Sequence, residues 1–186
     1  AWTLLLAPTG LPVAVRMNVM AAFTSAVATG FLFLVAHRIL ESGQARRTAA
    51  STASEGEPAR LVRAFPLVGA WAGALLAGTA FTVWNQSTVN EKVYTPSVLI
   101  IAIVSWLVVR WLDRRDEPGS GGLIVLAVYL MILGSTNHLM SMLPAPAVLA
   151  LVLLEKPSLL LDWRFTSRAT AAVLIGLSFN FVLPIR

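Results

Sequence analysis

Long apolar runs separated by short polar or charged stretches set the rhythm of the chain. The first run, Pro12 to Leu40, has Arg16 and Asn18 at one end and His37 and Arg38 at the other. A second covers Ala64 to Trp84, a third opens at Thr95-Pro96 and closes near Trp111, and a last one covers Ala169 to Leu183. Between the third and the last, residues Gly122 to Leu154 are almost wholly apolar and break only at "STNHLMSMLPAP". Runs of roughly 17–25 apolar residues are long enough to cross the hydrocarbon core of a bilayer. Only helices and closed barrels satisfy their backbone there, and runs of this length are helical. The pattern predicts an all-α polytopic bundle, one transmembrane domain over residues 1–186. Thr95 and Pro96 suit the N-cap and first helical position of the third span.

The polar stretches differ in kind. "ESGQARRTAASTASEGEPAR", in the interval 41–62, is rich in Ser, Ala, Gly and charge and predicts a flexible loop. "WNQSTVNEKVYTP" forms a polar loop over 85–95, and residues 135–140 form a turn. Two spans carry small residues four apart, Ala22, Ala26 and Gly30 in the first and Gly69, Gly73 and Ala77 in the second. That spacing predicts faces on which helices approach closely.

Composition sharpens the picture. The chain is 57% hydrophobic and 12% charged, against about a quarter charged in soluble domains. A net charge of +5 raises the question of nucleic acid, but the cations sit at the ends of apolar runs, which is a topological signal and excludes nucleic acid as a partner class. If residues 122–154 cross twice, turning at Asn137-His138, then Arg38, Arg46, Arg47, Arg60, Arg63, Arg110, Arg114, Arg115, Lys156, Arg164 and Arg168 share the cytoplasmic side. Only Arg16, Lys92 and Arg186 remain outside, whereas a single crossing spoils the bias. Two crossings bring the expected count to about six spans. Each of the pair is about 15 residues, roughly 22 Å against a hydrocarbon core of ~30 Å. The turn between them is therefore expected below the outer surface, lined by protein or water. With no Cys there is no disulfide framework and no thiolate site.

Candidate chemistry falls on the outward side. Glu91 is the only acidic residue there and His138 the only outward histidine. With Trp84, Gln86, Tyr94 and Asn137 they are expected to line a shared cavity. Trp84 and Tyr94 also suit an outer aromatic belt, and Trp111 and Trp163 an inner one. Arg16 is placed to hold an anionic phosphate through its forked donors. No metal site is expected, since hard cations need more oxygen ligands than this face supplies, and no cofactor is implied.

Three blocks carry a family resemblance: "RMNVMAAFTSAVATGFLFLVAHRIL", "FTVWNQSTVNEKVYTPSVLIIAIVSWLVVRW" and "YLMILGSTNHLMSMLPAPAVLALVL". Together they resemble the bacterial domain-of-unknown-function 2723 family, which pairs a W-x-Q-x4-E-V-Y-like loop with a later G-x-x-N-H-L turn. Here the first corresponds to Trp84, Gln86, Glu91, Val93 and Tyr94, with Lys92 inserted, and the second to Gly134, Asn137, His138 and Leu139. That family is similar to the C-type glycosyltransferases and to the protein O-mannosyltransferases of animals. The resemblance implies sugar transfer from a polyprenyl-phosphate donor on the extracytoplasmic side, in a bacterial cytoplasmic membrane. The rival expectation is a non-catalytic scaffold subunit of a larger membrane complex. The acidic N-terminal loop that carries the catalytic acid in such enzymes has no counterpart here, so the chain reads as a fragment lacking it, or as a protein without it.

Overall fold

The computed structural model describes residues 6–50, 58–80, 85 and 94–182. Among them are six α-helices: α1 (Val13–Ala50), α2 (Pro58–Thr79), α3 (Tyr94–Arg114), α4 (Gly121–Ser135), α5 (Ala145–Glu155) and α6 (Trp163–Val182). Short 3-10 turns at Leu139–Met142 and Pro157–Leu161 flank α5. The fold is an all-α helical membrane bundle, and the segment Val13–Arg47 of α1 and the whole of α3 are each long and apolar enough to cross a membrane. Helices α2, α1, α3, α4 and α6 lie side by side in that order. The fifth helix joins through side chains, with Val148 and Val152 in one buried cluster with α3, α4 and α6.

Boundaries follow local chemistry. α1 continues through Ala50, into the stretch expected as a flexible loop, because Glu41, Gln44, Ala45, Arg46 and Arg47 are good helix formers. An Arg38–Glu41 pair at 2.9 Å spans one turn there. α2 then starts at Pro58, where a missing N–H costs nothing. The third helix begins at Tyr94, before Thr95, and Pro96 stays in the first turn, where its ring is tolerated. The last helix begins at Trp163, ahead of the expected Ala169, because the Asp162 carboxylate accepts the Arg164 N–H at 2.9 Å and caps it. Helices α4 and α5 have 15 and 11 residues, so the expected short pair is present.

The core sits between α3, α4, α5 and α6, around Val104, Val108, Trp111, Ile124, Ala127, Met131 and Phe165. Trp111 is fully buried, which corrects its assignment to an aromatic belt. Its indole Nε1 has no partner among the described residues, an unsatisfied donor retained because the ring fills the core. Trp163 is 79% exposed.

The small-residue faces are also shifted from expectation. On α2 the buried positions are Pro66, Ala70 and Ala74, while Gly73 is exposed and a Cβ there meets nothing within 4 Å. Gly78 continues the buried row, and a Cβ on it falls 2.6 Å from the Thr29 hydroxyl of α1. On α1 the packed residues are Met20, Ala21, Thr24 and Ala28, and Gly30 faces open space.

At one end the helices are joined by charge. Arg38 grips Asp113 of α3 in a fork, with Nε to Oδ2 and Nη2 to Oδ1 both at 2.9 Å. Arg115 reaches Glu155 at 3.0 Å, and the Lys156 ammonium donates to the Arg115 carbonyl. These groups are half-exposed, so each pair contributes at most about 1 kcal/mol. Their effect is to fix the register of α1 on α3 and of α5 on the α3 end.

Candidate functional site

The opposite end of the bundle holds the candidate site, built on the turn between α4 and α5. Helix α4 ends at Ser135, and the Gly134 carbonyl accepts N–H bonds from Asn137 at 2.9 Å and His138 at 3.1 Å. The chain then reverses into the 3-10 turn Leu139–Met142. His138, in extended backbone, caps this turn, its Nδ1 accepting the Met140 N–H at 3.1 Å. Glycine is required at 134. A Cβ there falls 2.5 Å from the Ile100 side chain of α3 and 2.7 Å from Ser141, so no other residue lets the turn sit this deep.

The turn docks on the start of α3. The His138 ring lies 5.0 Å, centroid to centroid, from the Tyr94 ring and is tilted 55° to it. Asn137 Nδ2 donates to the Ser97 hydroxyl at 3.4 Å, a long bond between an exposed amide and a buried serine. Thr95, Pro96, Ser97 and Ser141 are all buried, and the Ser141 hydroxyl has no partner among the described residues. Polar groups are thus concentrated under the turn, where the backbone reversal needs partners.

Beside the Tyr94–His138 contact lies a cavity of about 330 Å3. Its walls come from Ser25, Thr29 and Leu32 of α1, Gly78 of α2, Tyr94 and Val98 of α3, and Met140 of the turn. The lining is chiefly apolar. Tyr94 belongs to both cavity and polar turn, and His138 stands behind it, so the ring pair marks the boundary between an apolar chamber and a polar rim.

The hydrogen bond to His138 selects the tautomer of its neutral ring. With Nδ1 accepting a backbone N–H, the neutral ring carries its proton on Nε2 and offers a donor on that side. Such a ring suits an anionic oxygen or a sugar hydroxyl better than the removal of a proton.

Of the residues expected to share a cavity, Tyr94, Asn137 and His138 are brought together. Trp84, Gln86 and Glu91 lie outside the described residues. Arg16 is in the first turn of α1, its Nε donating to the Leu11 carbonyl at 2.7 Å. It is roughly 13 Å along the helix from Ser25, at 1.5 Å per residue, and does not line the cavity. Sequence reasoning missed Ser97, Ser141 and Met140. Ser97 was detectable as a hydroxyl placed directly after Thr95-Pro96 at the head of an apolar span, whereas Met140 has no signal beyond its nearness to His138. No group of three or more metal-ligating side chains occurs among the described residues.

No curated protein and no solved structure matches the chain. Residues 1–161 match the family described as the protein O-mannosyl-transferase TMEM260 N-terminal domain. That match covers α1 to α5, the polar turn and the cavity, and stops before α6. It agrees with the O-mannosyltransferase side of the resemblance carried by the loop and turn motifs. The chain belongs to the family of the protein O-mannosyl-transferase TMEM260 N-terminal domain.

Proposed function

We propose that this chain is the membrane domain of a glycosyltransferase that passes a sugar, mannose by its family, from a polyprenyl-phosphate donor to an acceptor hydroxyl on the extracytoplasmic side. The setting we propose is a bacterial cytoplasmic membrane, with the lipid-linked donor as the partner besides the bilayer and with no further cofactor. The observation that carries the reading is the Tyr94–His138 pair at the edge of the apolar cavity. A lipid-linked donor has the same division, an isoprenoid chain joined to an anionic phosphate.

In such a transfer the bond between the sugar C1 and the phosphate oxygen breaks, and a bond from C1 to the acceptor oxygen forms. The acceptor proton leaves to a base, and negative charge returns to the departing phosphate. On this reading the isoprenoid end rests against Leu32, Val98 and the Tyr94 ring. His138 donates from Nε2 to the leaving phosphate as its charge grows, where a fixed donor in a poorly hydrated site is most effective. Asn137 and Ser97 hold the turn against α3. Glu91, three residues before Tyr94 in the chain, contacts the sugar or acceptor together with Gln86 and Trp84. Arg16 draws anionic headgroups toward this end. The catalytic base is not assigned to any residue of this chain.

The test separates the cap from the donor. His138→Asn keeps an acceptor for the Met140 N–H but removes the Nε2 donor, whereas His138→Ala removes both. In the full-length protein, both substitutions are expected to lower sugar transfer from a lipid-phosphate donor roughly 10- to 100-fold, the worth of one hydrogen bond to a charged group. Only His138→Ala should also cost about 1 kcal/mol of stability, as caps do. Transfer by His138→Asn at the wild-type rate would show that His138 is a cap alone.

A further inference from the structure

The arginine-rich end of the bundle contains a second and larger cavity, about 570 Å3, between the turn that follows α3 and the start of α6. Its charges are sorted by wall. Asp116 and Glu117 stand on the turn between α3 and α4, while Arg164 and Arg168, one helical turn apart, stand on α6. Two further charged residues are already engaged. Lys156 donates to the Arg115 carbonyl, and Asp162 caps α6 through the Arg164 N–H.

The remaining four behave differently. Neither Arg164 nor Arg168 forms an ion pair among the described residues, and neither does Glu117. Asp116 reaches only Arg115, at 3.9 Å, with its side chain 90% exposed. Opposite charges that line one cavity without closing on one another leave both signs available to a ligand. The floor at Gly119 and Gly122 faces open space, since a Cβ on either meets nothing within 4 Å.

The rim, in contrast, is apolar. Leu161 and Trp163 flank Asp162 of the cavity wall along the chain and are 88% and 79% exposed. Charged walls next to exposed leucine and tryptophan, in a membrane bundle, match a molecule with a charged head and apolar tails.

We propose that this cavity holds the headgroup of a zwitterionic phospholipid bearing a primary ammonium. The phosphate meets Arg164 and Arg168, for which guanidinium forks are suited. The ammonium donates to Asp116 and Glu117, and the acyl chains run along Leu161 and Trp163. An anionic headgroup of the glycerol type leaves the two carboxylates facing uncharged hydroxyls, and a trimethylammonium headgroup offers them no N–H. The site is separate from the sugar-transfer site, so its fate does not depend on that assignment.

Native mass spectrometry of the full-length protein in detergent, with each lipid added in turn, tests this. Phosphatidylethanolamine should bind roughly ten-fold more tightly than phosphatidylglycerol or phosphatidylcholine, about the contribution of one charge-assisted hydrogen bond. The Arg164→Ala/Arg168→Ala pair should weaken all three lipids. The Asp116→Asn/Glu117→Gln pair should abolish the preference for phosphatidylethanolamine while leaving phosphatidylcholine unchanged. All four side chains are exposed, so the fold is expected to survive both sets. Equal binding of the three lipids, or a preference that survives both double variants, overturns the proposal. Displacement by soluble phosphoethanolamine at concentrations matching the lipid overturns the lipid assignment and gives the site to a soluble amine phosphate.

Discussion

A single glycine sets the depth of the polar turn. Gly134 lies where Ile100 of α3 and Ser141 of the 3-10 turn both come closer than a Cβ permits, and its carbonyl takes the N–H bonds of Asn137 and His138. The glycine, the asparagine and the histidine of the G-x-x-N-H-L turn are thus one device. The first allows the approach, the second ties the turn to Ser97, and the third caps the next turn while setting its ring on Tyr94. Gly134→Ala should force the turn away from α3 and cost about 1–3 kcal/mol, the usual range for an overpacked core. Sugar transfer should fall with it, because His138 and Tyr94 separate. Thermal unfolding in detergent, measured beside the transfer rate, checks this. A variant with unchanged melting and unchanged transfer would show that the turn has room to shift.

Helix existence was legible in the sequence, and helix faces were not. Apolar length located four of the six helices and the undivided run 122–154, and the charge bias divided that run into α4 and α5. The packing faces failed for a physical reason. In lipid the outward face is as apolar as the inward one, so hydrophobicity does not orient a helix, and small residues must serve instead. The second helix offers two such rows, Gly69–Gly73–Ala77 and Pro66–Ala70–Ala74–Gly78, and only contact with α1 distinguishes them. Trp111 misled in the same way, since an indole near a helix end reads as a belt residue until α4 and α6 close over it. Within the candidate site, the Tyr94–His138 meeting followed from the shortness of α4 and α5, whereas the apolar cavity beside it depends on Thr29 and Gly78, which no motif marks. Gly78→Ala should therefore cost about 1–3 kcal/mol, because its Cβ meets the Thr29 hydroxyl at 2.6 Å. Gly73→Leu, on the exposed face, should be tolerated. The two melting curves, measured in the same detergent, decide between the rows, and the reverse ranking would return the packing face to Gly73.

The whole molecule is polar at both ends in different ways. One end carries Arg38, Arg114, Arg115, Lys156, Arg164 and Arg168, of which Arg38 and Arg115 pair with carboxylates, and the other carries the sparsely charged Tyr94–His138 region. Contacts across the helices fix this division, since Arg38 meets Asp113 and Arg115 meets Glu155 at the same end. The orientation we propose from this asymmetry puts the arginine-rich loops in the cytoplasm, because lysine and arginine near helix ends resist translocation. The proposed sugar transfer depends on this orientation, for it puts His138 and the mouth of the apolar cavity on the extracytoplasmic side. Single cysteines test the assignment directly in a chain that has none of its own. In intact cells or sealed right-side-out vesicles, Ser87→Cys should react with a membrane-impermeant maleimide from outside. Ser120→Cys, beside the α4 start, should react only after the membrane is opened. Labelling of both from the same side would remove α3, the one helix described between them, as a crossing, and would overturn the orientation on which the proposed transfer depends.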